Sequence, residues 1–312
     1  MYPSQQSNHK SKRSILRIIG TISALGLVIY LIWRNWTGFL DALGSLPVPL
    51  LLLLLTIALM SRFLVTLRWF ILLRLTYPEL CFYTVLKLSF VGLFSTNVLP
   101  STIGGDVVKL GGAVQFGLES SDVTASLIVD RLVGMATMAS FLPFGIFSLF
   151  QNQTLSKIMM GSIAGEFFAK IWQRTLDFLI RVKKALTLWL KQPKHLMIAA
   201  ICSYGHMACT FAMVSLILSS LGETVPFLRV GGLWVLVYFI TLIPISINGL
   251  GLQEFSLSLV FTNYAGVSDA NSLVLALLMR VLFMTASLPG ALFFPEVLTG
   301  DTTIGQQQDD QG

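Results

Sequence analysis

Long apolar runs free of charge constrain this chain more than any other feature. Leu46–Ile57 and Phe141–Phe150 are two of them, and several extend to the roughly 20 residues a helix needs to cross about 30 Å of hydrocarbon. Apolar residues make up 54% of the chain and charged ones only 12%, a balance outside that of ordinary soluble domains. Transmembrane barrel strands would alternate apolar and polar residues over about 10 positions, and these runs do not alternate. The expectation is an all-α polytopic protein of the inner or plasma membrane.

Reading along the chain predicts about eight transmembrane helices, near 15–33, 48–72, 82–99, 124–150, 195–221, 228–247, 252–266 and 271–295. The organisation that follows is a basic cytoplasmic tail (1–14), a first membrane half (15–150) with a break at 98–106, and a connection (151–194). A second membrane half (195–295) has its break at 242–254, and 296–312 is expected to be a disordered tail. Lys10, Lys12, Arg13 and Arg17 front the first run, and no clean small-residue cleavage site follows it, so it reads as an uncleaved span. Lysine and arginine concentrate again at 151–194, whereas loops 34–47 and 222–228 hold one at most. The positive-inside rule makes both rich segments cytoplasmic, and four crossings before residue 151 satisfy that placement. Within 151–194, Phe167, Ile171, Phe178, Val182, Leu186 and Trp189 form an apolar stripe beside a charged one. That pattern predicts an amphipathic helix, either packed on the bundle or docking lipid or a partner.

An internal repeat is the most informative motif. Val98–Asp106, with Pro100, Gly104, Gly105 and Asp106, ends one apolar run; Leu242–Gly251, with Pro244, Asn248, Gly249 and Gly251, ends another and is followed by Glu254. Ser121-Asp122 and Arg131 follow the first break, Ser268-Asp269 and Arg280 the second. Proline removes a backbone donor and glycine opens conformations closed to other residues, so a helix should stop at each break. Freed amides in hydrocarbon must be buried in protein or line a cavity, and a restarting helix aims its positive end there. Two such units in corresponding halves point to a transporter site in an inverted repeat.

Arg62, Arg68, Lys87, Asp130, Arg131 and Arg280 fall in or near apolar runs, where a charge costs about 2.5–3.5 kcal/mol on insertion scales unless paired or hydrated. Asp106 and Glu254 are the natural counter-ions of Arg131 and Arg280, which are expected to meet those carboxylates or a lipid phosphate. Asp130 reads as a neutralising neighbour of Arg131, and Arg62, Arg68 and Lys87 as side chains that snorkel to an interface.

The ordered set Asn97–Pro100, Gly104-Gly105-Asp106, Asp130-Arg131-Leu132, Arg68-Trp69, Ile243-Pro244 and Asn248–Gly251 with Glu254 resembles the lysylphosphatidylglycerol synthase transmembrane family, the flippase-like domain. The similarity covers most of 15–295; Asn248 stands where the family often has another glycine. The resemblance implies a membrane region that moves an aminoacylated phospholipid or accompanies glycosyltransferases acting on lipid-linked sugars. No aminoacyltransferase domain is seen in these residues, so synthesis is not expected.

Other chemistry is faint. Cys202, His206 and Cys209 share a helical face but supply only three ligands, so no metal or cofactor is expected. There is no Walker-type nucleotide loop, and the basic charge is accounted for by loops rather than nucleic acid. The reading is therefore a non-enzymatic lipid transporter with its N-terminus in the cytoplasm. Its substrate is expected to be a membrane phospholipid or lipid-linked saccharide, held by the residues of the two breaks with Arg131 and Arg280. The alternatives are a non-catalytic partner of a glycosyltransferase or aminoacyltransferase, and an embedded transferase using Asp106, Asp130 or Glu254 as base.

Overall fold

The computed structural model describes residue 26 and residues 28–30, 33–34, 36–99, 104–150, 193–243 and 246–299. Most of the first predicted span, the connection through 192, Pro100, Pro244 and the tail from 300 lie outside the described residues. Among those described, the regular structure is helical: α1 (Trp36–Gly44), α2 (Val48–Leu73), α3 (Phe82–Val98), α4 (Gly104–Gln115), α5 (Ser120–Ala139) and α6 (Leu142–Phe150). After the connection come α7 (Pro193–Ser220), α8 (Phe227–Thr241), a 3-10 turn (Ile247–Gly249), α9 (Leu252–Ala265), α10 (Asp269–Ser287) and α11 (Pro289–Thr299). Prolines mark many starts: Pro49, Pro143, Pro193 and Pro289 fall in first turns and Pro226 precedes α8, where a missing amide donor costs nothing because that amide has no partner inside the helix.

Three helices, α2, α7 and α10, are long and apolar enough to cross a membrane, and the bent pair α5–α6 makes a fourth if counted as one span. The large apolar side chains Leu52, Leu53, Met60 and Phe63 of α2 are exposed, as expected of a helix facing lipid rather than water. Eight full crossings are not found among the described residues. The 124–150 segment bends by 41° between α5 and α6. Ser140 and Phe141 close α5 with short-range bonds to Thr137 and Met138 carbonyls, and Pro143 has no N–H with which to continue the ladder. The 271–295 segment likewise stops at Leu288, where Pro289 begins α11. α11 runs on to Thr299 with Val297 buried, so residues 296–299 belong to a packed helix rather than to a tail. At 228–247 and 252–266 the helices are only 15 and 14 residues long, shorter than a full crossing needs, and at 82–99 the 17 residues are at the lower limit.

The chain divides into two compact units. The unit built on Leu59–Met135, Ala185–His206 and Phe283–Gly312 contains the α3–α4 hairpin with α11 packed on it. Trp69, Leu88, Val91, Ala113 and Val297 form its core. Close approach needs glycine here: a methyl at Gly105 would strike the Gly92 carbonyl and Thr96, and one at Gly290 would strike the Phe90 carbonyl.

The unit built on Met1–Ala58, Ala136–Lys184 and Met207–Leu282 contains the α8–α9 hairpin with α6 packed on α8. Gly145 of α6 meets Gly232 of α8 backbone to backbone. Phe211 fills the adjoining space, its ring 5.3 Å from that of Phe141 and 6.0 Å from that of Phe227. In each unit, then, a short helix that follows a long one crosses a helical hairpin at a glycine.

Candidate functional site

Each hairpin is closed and strapped by the same devices. α4 ends on Gly117 (φ 83°) and α9 on Gly266 (φ 74°), left-handed positions that glycine takes without steric cost. Leu118 N–H then reaches back to the Ala113 carbonyl, and Val267 N–H to that of Phe261. In the first unit Glu119 N–H donates to Tyr77 Oη, which donates to Asp122 (2.9 and 3.1 Å). In the second, Ser268 N–H and Asn271 Nδ2 both donate to Glu223 Oε1 (3.0 and 2.8 Å). Bonding to that backbone N–H holds the Glu223 carboxyl below its ordinary pKa. Gly117 and Gly266, Glu119 and Ser268, Asp122 and Asn271, and Arg131 and Arg280 are separated by the same number of residues. The same caps and straps thus recur at one spacing, in a register two residues away from matching Ser121-Asp122 with Ser268-Asp269.

The two expected ion pairs are present. Arg131 on α5 binds Asp106 in the first turn of α4, with Nε and Nη2 each 2.5 Å from Oδ2. Arg280 on α10 binds Glu254 in the first turn of α9, and its Nη2 donates to the Gly249 carbonyl at 3.2 Å. The pairs differ in access: the Arg131 side chain is 54% exposed, against 15% for Arg280 and 6% for Glu254. Arg280 therefore fastens α10 to the backbone of the 242–254 break, while Arg131 keeps half its surface open. Gly104 and Gly105 lie inside α4 as its first residues rather than in the interruption. The second break is a 3-10 turn with Asn248 at φ 51°, Gly249 at φ 67° and Gly251 at φ 74°. Asparagine is among the few side chains that tolerate such a φ, which explains its presence at a position suited to glycine.

The charges expected to snorkel do not behave alike. Arg68, 7% exposed, forks Asp130 with Nε to Oδ1 at 2.6 Å and Nη2 to Oδ2 at 2.9 Å, and its Nη1 donates to Ser203 Oγ at 2.8 Å. Asp130 is thus the partner of Arg68, not of Arg131. Adjacent residues on a helix point in different directions, so side chains at 130 and 131 serve different neighbours. Lys87 pairs with Glu296, and Arg62 lies 4.3 Å over the Phe283 ring. Of the Cys202, His206 and Cys209 set, His206 Nδ1 is bonded to Ser61 Oγ at 2.6 Å.

Lys109 is the functional candidate that sequence reasoning missed. It is buried in α4, its ammonium 5.0 Å from the centre of the Trp69 ring, and its charged surroundings are Asp130, Asp106, Arg131 and Arg68. The available signal was its position one helical turn beyond Asp106. Three basic side chains and two carboxylates thus gather in one unit, beside an accessible guanidinium. Such a cluster can hold an anion with several oxygens, because guanidinium binds phosphate or carboxylate through parallel bonds and ammonium adds a point charge.

No curated protein matches this chain. Residues 16–290 match the family model described as the lysylphosphatidylglycerol synthase TM region. With nearly its whole membrane part covered, the chain is a multi-pass membrane protein and belongs to that family.

Proposed function

We propose that this protein is a lipid carrier of the flippase type, taking a phosphate-bearing head group at the Lys109–Arg131 cluster while the acyl chains stay in the bilayer. The observation that carries the proposal is the surplus cation. Arg68 is matched by Asp130 and Arg131 by Asp106, whereas Lys109 sits buried near both pairs with no carboxylate of its own among the described residues. An uncompensated charge in a membrane protein is expensive and marks a substrate path by default. Asp106 accepts from the exposed Arg131, so an arriving phosphate can exchange with that carboxylate without unpacking the core.

The carrier is read as non-enzymatic and as residing in the cell membrane with a cytoplasmic N-terminus. The two strapped hairpins act as halves of an inverted repeat rocking in alternating access. The substrate class is an anionic phospholipid or a lipid-linked saccharide, both presenting phosphate. The test is transfer of a fluorescent phosphatidylglycerol across proteoliposome membranes, read by quenching of the outer leaflet. Wild-type protein should speed transfer over empty liposomes, and Lys109→Gln or Arg131→Gln should slow it about tenfold or more, the loss of one charge-assisted bond. Transfer equal to that of empty liposomes, or unchanged in both variants, contradicts the proposal.

A further inference from the structure

Arg62 is, beside Lys109, a second charge of this unit outside the ion pairs found among the described residues. It lies near the middle of the 26-residue α2, about 9 Å along the helix from Arg68 at 1.5 Å per residue. No carboxylate among the described residues pairs with it, and its buried Nε has no hydrogen-bond partner. Its guanidinium instead lies over the Phe283 ring at 4.3 Å, a cation–π contact that holds the side chain without occupying Nε. Ser61, the preceding residue, holds His206 Nδ1 at 2.6 Å, and Arg62 and Arg68 are both electrostatic neighbours of that imidazole. A mid-span guanidinium with no carboxylate partner among the described residues is an incomplete ion pair.

We propose that Arg62, stacked on Phe283 beside the Ser61–His206 pair, is a second phosphate site, a midway station that receives a head group passing along α2 from the Lys109–Arg131 cluster. The site rests on the carrier reading for its role in transfer, but not for its ability to bind an anion. The ligand it fits is a phosphate monoester or diester, whose oxygens match the fork of a guanidinium. A station without a fixed carboxylate suits a transient occupant, since no resident anion has to be displaced.

Two measurements on the purified full chain separate the site from the carrier reading. In the first, phosphatidylglycerol bound to the detergent-solubilised protein is counted by native mass spectrometry for wild type, Arg62→Gln, Arg62→Lys and Phe283→Leu, with inorganic phosphate as competitor. Arg62→Gln should lose one bound lipid, Arg62→Lys should keep it more weakly, and Phe283→Leu should weaken it with the fold intact. Displacement by millimolar phosphate would identify free phosphate as a ligand; resistance to it would identify the lipid head group. Equal lipid counts in wild type, Arg62→Gln and Phe283→Leu overturn the site. In the second, proteoliposome transfer of phosphatidylglycerol should fall about tenfold in Arg62→Gln and less in Arg62→Lys. Full transfer by Arg62→Gln overturns the station. If wild type transfers nothing, the carrier reading fails and the lipid count alone decides the site; if Arg62→Gln does not fold, Arg62→Lys and Phe283→Leu decide it.

Discussion

Replacing Asp130 by alanine isolates the energetics of the Arg68 fork. Arg68 donates to Asp130 at 2.6 and 2.9 Å and to Ser203 at 2.8 Å, and both members of the ion pair are more than nine-tenths buried. Asp130→Ala leaves the buried guanidinium in place without its carboxylate, and stranding a buried charge costs about 3–5 kcal/mol. Ser203→Ala removes one bond to a charged donor, about 1.5–3 kcal/mol. The double change Arg68→Leu, Asp130→Leu strands nothing, so it should lie close to wild type or up to about 4 kcal/mol above it. The assay is reversible unfolding in mixed micelles for all four proteins. An Asp130→Ala protein within about 0.5 kcal/mol of wild type, the range of an ordinary surface change, would refute the claim that this pair is desolvated; so would a double variant as unstable as the single one.

Other outcomes follow from the same geometry. Arg280→Ala should destabilise far more than Arg131→Ala, about 3–5 kcal/mol for a buried pair against about 0–1 kcal/mol for an accessible one, as paired melting curves would show. Asn248→Val should cost about 1–2 kcal/mol because a β-branched side chain cannot relax at φ 51°, whereas Asn248→Gly should fold as well as wild type. Gly145→Leu should disrupt the α6–α8 crossing, where the Gly232 carbonyl occupies the space a side chain needs, and lose about 1–3 kcal/mol or the fold itself. Glu223 has its folded pKa depressed by the Ser268 N–H. Its contribution to stability is therefore present above the ordinary glutamate value of 4.5 and is lost as pH falls through the lower folded value; Glu223→Gln should remove that acid-side slope from the melting temperature.

The helical class, the two breaks and the Arg131–Asp106 and Arg280–Glu254 pairs were legible because each leaves a local mark: a charge-free run, a Pro/Gly cluster, a carboxylate in the first turn of the restarting helix. Span lengths were not. Pro143 and Pro289 interrupt runs apolar enough to read as single crossings, and hydropathy averages over such a bend. The Arg68–Asp130 fork was hidden because sequence adjacency favoured Arg131 as the partner of Asp130, whereas helix geometry sends neighbouring side chains in different directions. Lys109 escaped for a related reason: apart from Asp106 one turn earlier, its neighbours come from α2 and α5, and no spacing along α4 announces those. Arg62 looked like a snorkelling side chain until Phe283, far along the chain, proved to lie beneath it.

The central claim, that the Lys109–Arg131 cluster holds a phosphate-bearing head group, is tested most directly by competitive lipid retention. Protein purified from mixed phosphatidylglycerol and phosphatidylcholine micelles is weighed with its bound lipid, as wild type and as the Lys109→Gln, Arg131→Gln double variant. The account predicts that wild type retains phosphatidylglycerol in preference to phosphatidylcholine and that the double variant loses one phosphatidylglycerol and most of that preference. Retention of both lipids without preference by wild type, or an unchanged preference in the double variant, would contradict it.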